Sequence, residues 1–206
     1  IKACAAHDQA AASLRFAATH VLSLTFFPRW LGTLEAQLRL GPIQTISDSY
    51  DACEDEALQR RVQFVLCHGH PEVPGRLDDA QYPVLRLSGD MLMPVCVPAA
   101  HAAHGAGTPL HAIVPAAEAG AAAGSQAEPL PVLAYGEASG LGRIMRARMR
   151  GVFGDGTASA IAQGVSVVFT AHHAALLKTM ALEGRGVAWL PQSLIADELR
   201  VGTLVP

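Results

Sequence analysis

Residues 14–31 read LRFAATHVLSLTFFPRWL, and this stretch decides the class of fold. Leu14–Ala18 form a short run typical of a β-strand, and Thr19 follows at the position of a helix N-cap. From the next residue onward, the apolar side chains fall mostly on one helical face, which predicts a helix. Pro28 either kinks this helix or begins a second one, and Gly41-Pro42 ends it.

The same alternation of strand and helix continues to residue 67. Residues 43–47 (IQTIS) are the next predicted strand, and residues 64–67 (FVLC) form an almost wholly apolar one, typical of a sheet covered on both faces. Between them, residues 53–61 (CEDEALQRR) predict a helix with acids first and arginines last, the order that its dipole favours. This order of elements predicts parallel α/β units.

The second half of the chain repeats the alternation less regularly. Residues 82–87 and 91–98 are predicted to be extended, and the Ala/Gly/Pro-rich residues 99–131 to be mostly loop. Further strands are predicted at 130–135, 165–170, 187–191 and 203–206, and helices at 141–153 and 193–200. We therefore expect an α/β fold of two similar lobes, with residues 14–88 plus 191–206 in lobe I and residues 89–190 in lobe II. A ligand is expected in the cleft between the lobes.

Composition excludes several classes of protein. The 206 residues are 50% hydrophobic and 16% charged, enough for a sizeable core, and the net charge of −3 argues against DNA binding by this chain alone. The four arginines between residues 143 and 150 are interpreted as a solvated helix face. No apolar run approaches the length of a membrane span, and the first residues do not resemble a signal peptide.

The cysteines indicate a reducing compartment. Cys4, Cys53, Cys67 and Cys96 are scattered without a Cys-x-x-Cys pair, so neither a disulfide framework nor a zinc site is predicted. Reduced thiols in a cytoplasmic protein are the expected state.

Two pairs of histidines are the candidates for a metal site. His172 and His173 are adjacent, and on a helix they would point about 100° apart rather than toward one ion. His68 and His70 share a face if the chain is extended, but no further ligand at a suitable spacing completes a set, although Cys67 is near. We expect no metal and no cofactor.

Nucleophilic catalysis lacks its usual motifs. The chain has no Gly-x-Ser-x-Gly elbow, and Ser139 lies in a glycine-rich turn, residues 136–142, without an evident base. The glycine spacing of this turn differs from a dinucleotide-binding fingerprint. An enzyme acting on small acids is therefore a minor alternative to a protein that only binds.

The binding interpretation relies on four strand-to-helix turns with small polar residues, at 19–20, 67–70, 136–139 and 170–173. If the strands are parallel, their carboxyl ends meet at one cleft, where helix N-termini favour an anion. Thr19 and Thr170 are each expected to cap a helix and to offer a hydroxyl, and His172 to lie in a first helical turn. The predicted ligand-binding residues are Thr19, His20, Val21, His68, Gly69, His70, Tyr135, Gly136, Thr170 and His172.

Three stretches, in this order, resemble the effector-binding domain of LysR-type transcriptional regulators. They are LRFAATHVLSLTFFPRWL (14–31), VLRLSGDMLMPVCVPAAH (84–101) and ALLKTMALEGRGVAWLPQSLIADELRVGTLVP (175–206). The resemblance covers almost the whole chain. Residues 19–22 and 67–70 further resemble the branch of hypochlorite-responsive regulators.

The resemblance implies a periplasmic-binding-protein-like domain of type 2, with two Rossmann-like lobes joined by crossover strands. Such a domain binds a small-molecule effector and controls DNA binding by a winged helix-turn-helix, from which residues 1–13 would be the end of a linker. It also implies a homodimer through the first helix with Leu34 and Leu38, a tetramer of the full-length protein, cytoplasmic location and no membrane contact.

Two further interpretations stay open. A free-standing solute-binding protein of the same architecture would explain the two lobes equally well. An oxidant-sensing regulator would act through cysteine or methionine, and Cys67 is its candidate because the adjacent His68 favours a thiolate.

Overall fold

The computed structural model of the chain describes residues 13–80, 82–98, 129–148 and 165–206. The chain divides into two compact units, residues 1–67 and 68–206. The predicted lobe boundaries at residues 88–89 and 190–191 stay a prediction, and residues 1–12 of the predicted linker lie outside the described residues.

Unit 1 contains a parallel three-stranded sheet. Its strands are β1 (Leu14–Thr19), β2 (Ile43–Asp48) and β3 (Phe64–Leu66), in the order β2-β1-β3. Both neighbours run parallel to β1. The predicted parallel α/β arrangement of residues 14–67 is therefore confirmed.

The helices of unit 1 are α1 (His20–Thr25), α2 (Phe27–Glu35) and α3 (Tyr50–Leu58). Pro28 occupies the first turn of α2, where backbone N–H groups have no partner within the helix, so it begins a second helix rather than kinking the first. Helix α3 begins three residues earlier than predicted, because Ser49 accepts a hydrogen bond from the Ala52 N–H and caps it there.

The core of unit 1 is built around Phe16 on the central strand. Its ring packs at 5.1 Å from Phe27 and 5.0 Å from Phe64, and Trp30 lies 6.1 Å away. Helix α2 and strand β3 are thus fixed against β1 by aromatic contacts, each of which stabilises more than its buried area alone. This packing holds the carboxyl end of β1 in a defined position.

Unit 2 contains a mixed four-stranded sheet of order β4-β7-β5-β6. Its strands are β4 (Leu92–Val95), β5 (Leu130–Tyr135), β6 (Val165–Ala171) and β7 (Val187–Pro191), and its helices are α4 (Arg76–Asp79), α5 (Gly140–Arg148), α6 (Ala174–Leu182) and α7 (Gln192–Val201). Strand β5 is parallel to β6 and β7, whereas β4 is antiparallel to β7.

The structure refines the prediction for three segments of unit 2. Residues 82–87, predicted to be extended, belong to no strand among the described residues. Residues 203–206 contribute only the single bridge between Cys96 and Val205. Strand β6 continues to Ala171, one residue past the predicted end, so Thr170 lies within the strand and not at the start of a helix. The predicted loop at 99–128 and the predicted helix beyond 148 lie outside the described residues.

Gly186 allows the return from α6 into β7. Its φ is +151°, and a Cβ there would lie 2.5 Å from the Pro131 carbonyl oxygen on β5. Only glycine permits this close approach of the two backbones. Strand β7 can therefore pair with β5 immediately after the turn.

We expect Leu177→Ala to lower the free energy of unfolding by about 2–5 kcal/mol, because it removes buried methyl groups and leaves a cavity. Leu177 on α6 is 0% exposed, whereas its neighbour Leu176 is 43% exposed. Leu176→Ala is the matched control and should cost about 0.5 kcal/mol or less. Urea denaturation followed by circular dichroism measures both. Equal losses in the two variants would contradict the orientation of α6.

Candidate functional site

The carboxyl ends of the unit 1 strands meet at one edge of the sheet. The register pairs Thr19 with Asp48 across β1 and β2, and Ala18 with both Ser47 and Leu66. Strand β1 is followed by α1, β2 by the turn that precedes α3, and β3 by Cys67. The predicted ligand residues Thr19 and His20 therefore lie beside the polar end of β2.

Thr19 stands at the N-cap position of α1 in an extended conformation, but its side chain makes no capping hydrogen bond. Its Oγ1 is buried and has no hydrogen-bond partner. The predicted capping role of this hydroxyl is therefore wrong. A buried hydroxyl without a partner is costly, and it remains available to a bound molecule.

His20 belongs to a small polar cluster at the same edge. Its Nδ1 lies 3.2 Å from the Ser47 hydroxyl, which lies 2.8 Å from the hydroxyl of Ser23. Ser23 also donates to the His20 carbonyl at 2.8 Å. Ser47 was not among the predicted site residues, although its place at the end of a predicted strand could have indicated it. Val21, by contrast, is a buried core residue.

The cysteines of unit 1 differ in their surroundings. Burial raises the pKa of the Cys53 thiol to about 12, although its hydrogen bond to the Asp48 carbonyl acts in the opposite direction. Cys67, at the end of β3, is half-buried. The thiolate needed for oxidation is therefore suppressed at Cys53, so that Cys67 is the more accessible of the two thiols described in this unit.

In unit 2 the corresponding edge is formed by β5 and β6. The register pairs Ala134 with Thr170 and Tyr135 with Ala171, and the Gly136 N–H donates to the Ala171 carbonyl at 2.9 Å. Gly136 and His172 follow directly and are in contact, because a Cβ on Gly136 would lie 2.5 Å from His172 Nδ1. These two predicted residues are thus brought together.

Tyr135 and Thr170 differ in exposure. Tyr135 is buried, and its hydroxyl donates to the Trp189 carbonyl at 2.9 Å. Burial raises the pKa of this hydroxyl well above its ordinary value, so it stays protonated. Thr170 is exposed.

The start of α6 corrects two expectations. The helix begins at Ala174, and His173 is its N-cap residue with an extended backbone, so neither histidine lies in the first helical turn. The predicted capping role of Thr170 is wrong, because that residue is in β6, four residues before the helix begins. Residue type made Thr170 resemble a helix cap, but pairing with β5 extends β6 through this residue.

Arg146 reaches from α5 back to the end of β5. Its Nη1 lies 3.3 Å from the Tyr135 carbonyl oxygen and 3.5 Å from that of Gly136, and its Nη2 lies 3.2 Å from that of Glu137. Among the described residues, no carboxylate pairs with this guanidinium. Its positive charge is therefore not neutralised at the end of β5.

The other arginines of α5 also bind specific partners. Arg143 donates to the Pro74 carbonyl at 2.9 Å, and Arg148 forms an ion pair with Glu72. The interpretation of these arginines as a solvated helix face is therefore wrong for Arg143 and Arg146, whose side chains hold turns of unit 2 in place. Arg150 lies outside the described residues.

His68 approaches a carboxylate from a distant part of the chain. Its Nε2 lies 3.4 Å from Asp90 Oδ2, which also accepts from the Ser193 hydroxyl at 2.6 Å. Asp90 Oδ1 accepts from the N–H groups of Met91 at 2.8 Å and Ser193 at 3.2 Å. Asp90 thereby caps α7, which has no capping side chain of its own.

These contacts set the charge state of Asp90. Partial burial raises the pKa of its carboxyl, but the hydrogen bonds from His68, Ser193 and Met91 outweigh burial and lower the pKa to about 2. The remaining residues of this turn are less constrained. Gly69 is exposed, and His70 Nδ1 accepts from the Glu72 N–H at 3.2 Å.

In the described parts of the chain, no group of three or more His, Cys, Asp or Glu side chains could hold a metal ion. None of the helices built from those residues has the length and apolar character of a membrane span.

Comparison with known proteins points to one family. A family model described as the LysR substrate binding domain matches residues 7–206. The HTH-type transcriptional regulator YjiE of Escherichia coli K12 is 27% identical over 199 residues, which are 96% of this chain and 55% of YjiE. The chain thus spans about half the length of this curated relative.

Solved structures show the same fold. The apo regulatory domain of HypT from Salmonella typhimurium has a TM-score of 0.61 at 22% identity, covering 98% of this chain and 81% of that one. Full-length HypT, a hypochlorite-specific LysR-type transcriptional regulator, has a TM-score of 0.60 at 22% identity, covering 94% of this chain and 56% of that one. The expected α/β, periplasmic-binding-protein-like fold is confirmed.

We expect Asp90→Asn to lower the free energy of unfolding by about 1 kcal/mol at pH 7, because an amide has no negative charge and one acceptor oxygen fewer for the contacts with His68 and Ser193. The folded-state pKa lies below the ordinary 3.8, so this stabilisation is complete above about pH 4 and is lost as the pH falls toward 2. The difference in free energy of unfolding between variant and parent should therefore decrease as the pH falls from about 4 to 2. Urea unfolding at several pH values measures it.

The control for this prediction is Asp197→Asn, since Asp197 lies on the same helix with a side chain that is 85% exposed. It should change stability little at any pH. A loss in Asp90→Asn that does not change with pH would mean that the carboxylate charge does not stabilise α7.

A thiol-modifying reagent at pH 8 should react with Cys67 well before Cys53, because only thiolates react and burial keeps the Cys53 thiol protonated. Peptide mass spectrometry after timed alkylation gives the order of reaction. In denaturant the two sites should react at similar rates. Early labelling of Cys53 in the folded chain would contradict its burial.

Proposed function

Because the chain belongs to the family of LysR substrate-binding domains, we propose that it senses a small anionic effector for a longer transcriptional regulator. The effector controls DNA binding by a winged helix-turn-helix domain of the same polypeptide. The comparison with YjiE supports this arrangement, since that relative is a helix-turn-helix regulator of about twice the matched length.

The observation that carries the proposal is the hydroxyl of Thr19. Its Oγ1 is buried without a partner, at the carboxyl edge of a parallel sheet, directly before a helix. Burying such a polar atom without a partner costs about 1–3 kcal/mol of stability. A ligand that forms a hydrogen bond with the atom can recover this free energy. The nearby His20, Ser23 and Ser47 cluster supplies further polar groups for a small polar molecule.

The mechanism is a population shift. An effector that binds one conformation of the domain more tightly raises the population of that conformation and thereby changes DNA affinity. By linkage, the operator must change the affinity for the effector by the same factor. Within each unit the predicted ligand residues are proposed to contribute. They are Thr19 and His20 in unit 1, with Val21 supporting α1 from the core, and His68, Gly69, His70, Tyr135, Gly136, Thr170 and His172 in unit 2.

A homodimer is part of the proposal. Helix α1 and the turn that follows α2 expose large apolar side chains, with Leu24 at 69% and Leu38 at 56%, which a second copy would cover. The full-length protein would then form a tetramer in the cytoplasm and contact DNA through its other domain. Sedimentation of the 206-residue chain tests the dimer, and a monomer at micromolar concentration contradicts it.

The family consists of transcription regulators and is not an enzyme family. We propose that this chain binds its effector without turnover, which product analysis after incubation with small acids would test. A free-standing solute-binding protein would require a coding sequence without a winged helix-turn-helix upstream. Oxidant sensing through Cys67 would require that hypochlorite alter DNA binding by the full-length protein and that Cys67→Ser abolish the response.

Thr19→Val is the sharpest test of the ligand site. Removing the unpartnered hydroxyl should leave the free energy of unfolding unchanged or raise it by about 1 kcal/mol. The same change should weaken the best effector from a thermal-shift screen of metabolites by about tenfold, the usual cost of a lost polar contact. Isothermal titration calorimetry measures the affinity.

The matched control is Thr25→Val on the same helix, whose hydroxyl already donates to the Val21 carbonyl at 2.9 Å. It should lower stability and leave effector affinity unchanged. If Thr19→Val destabilises the chain and retains full affinity, the hydroxyl is structural and the site lies elsewhere.

A further inference from the structure

Within the proposed function, and resting on it, we infer that Asp90 is a positioning residue for His68. It fixes the tautomer of the imidazole, so that the effector meets a hydrogen-bond acceptor at Nδ1. The group of the effector at this point is then a donor, a hydroxyl or an N–H. The inference uses contacts within unit 2, and the tautomer can be measured without any effector.

The first step is the contact between the His68 ring and the Asp90 carboxylate. His68 Nε2 lies 3.4 Å from Asp90 Oδ2, and the two side chains are 15% and 19% exposed. A carboxylate accepts hydrogen bonds but cannot donate them, and the low pKa of Asp90, about 2, keeps this group ionised. The ring nitrogen that faces it must carry a proton, because two lone pairs at this distance would repel each other.

The second step is the state of the other ring nitrogen. A neutral imidazole carries a single N–H, and the hydrogen bond made by one nitrogen decides which of the two is protonated. With the proton on Nε2, the Nδ1 atom of His68 keeps a lone pair, and among the described residues no donor lies within hydrogen-bond distance of it. His68 therefore offers an acceptor in residues 68–70, where ligand contacts are predicted.

The third step is the set of contacts that hold the carboxylate. Asp90 Oδ1 accepts from the N–H groups of Met91 at 2.8 Å and Ser193 at 3.2 Å, and Oδ2 accepts from the Ser193 hydroxyl at 2.6 Å. Two main-chain donors on Oδ1 fix the rotation of the carboxylate, so Oδ2 is the oxygen that faces His68. The protonation of the ring thus depends on the main chain at the start of α7.

Asp90→Asn is the sharpest test, because it reverses the expected tautomer at almost constant shape. The two main-chain N–H groups keep the amide oxygen at the Oδ1 position, which places the NH2 group opposite His68 Nε2. A donor there needs a lone pair on Nε2, so the ring proton should move to Nδ1. The ¹⁵N shifts of the ring nitrogens, measured at pH 8 where imidazole side chains are ordinarily neutral, distinguish the tautomers. His68→Gln assigns the signals among the nine histidines.

Ser193→Ala is the matched control for this test. It removes the hydroxyl that binds Oδ2 but keeps the carboxylate and both main-chain donors, so stability should fall while the Nε2–H tautomer persists. A purely structural Asp90 would lower stability in the same way without any change of tautomer in Asp90→Asn. An Nδ1–H tautomer in the parent chain, or one that Asp90→Asn leaves unchanged, overturns the positioning role.

The chemical class of the ligand is tested with phenol and anisole, which differ by the replacement of the hydroxyl hydrogen with a methyl group. Phenol should give saturable shifts of His68 Nδ1 and of the amides of residues 68–70, and anisole should bind at least about tenfold more weakly. In Asp90→Asn, where Nδ1 carries the proton, this preference for phenol should disappear. Equal binding of the two probes, or no binding of phenol to the parent chain, overturns the acceptor role of His68.

Failure here is distinguishable from failure of the proposed function. An effector that binds the chain and changes DNA binding, while His68 is in the Nδ1–H form, leaves the sensor intact and overturns only this inference. The expected tautomer and the preference for phenol, with no metabolite altering DNA binding by the full-length protein, retain the inference and overturn the sensor.

Discussion

Parallel strand pairing is the constraint on which the candidate site depends. In a parallel pair, both strands end at the same edge, so the residues that follow them are neighbours whatever their separation in sequence. In unit 1 this places Thr19 opposite Asp48 and Ala18 opposite Ser47. In unit 2 it places Tyr135 opposite Ala171, and so Gly136 next to His172. Polar residues that are scattered along the chain thus form two compact groups.

The sequence predicted the strands and helices well where a local pattern is strong. The alternation in residues 14–67, the parallel sheet, the break at Pro28 and the strand at 187–191 are all confirmed. Boundaries failed where two residues could each serve as a cap. Thr170 resembles a helix cap by type, but pairing with β5 extends β6 through it, and the helix begins only after His173. Tertiary pairing overrode the local preference.

Contacts between distant residues were beyond sequence patterns altogether. Arg146 was grouped with other arginines on a helix face, because nothing in the sequence shows that main-chain carbonyls at the end of β5 lie within its reach. The reason for glycine at position 136 is similarly invisible in the sequence, since a glycine in a turn is ordinarily explained by backbone freedom. The structure shows instead that its missing side chain makes room for an imidazole. Contacts of this kind cannot be predicted from local sequence patterns, because they depend on which distant residues the fold brings together.

The Asp90 contact has a consequence for biosynthesis. Residues 90 and 193 are 103 positions apart, and among the described strands β4 pairs only with β7. The first strand of unit 2 therefore has no partner until the ribosome has made nearly the whole chain, whereas unit 1 can complete its sheet as soon as residue 67 has emerged. Since domains fold as units during synthesis, the two halves should become protease-resistant at different times. Until residues 187–193 are free to fold back, Leu92–Val95 remains an exposed strand that a chaperone could hold.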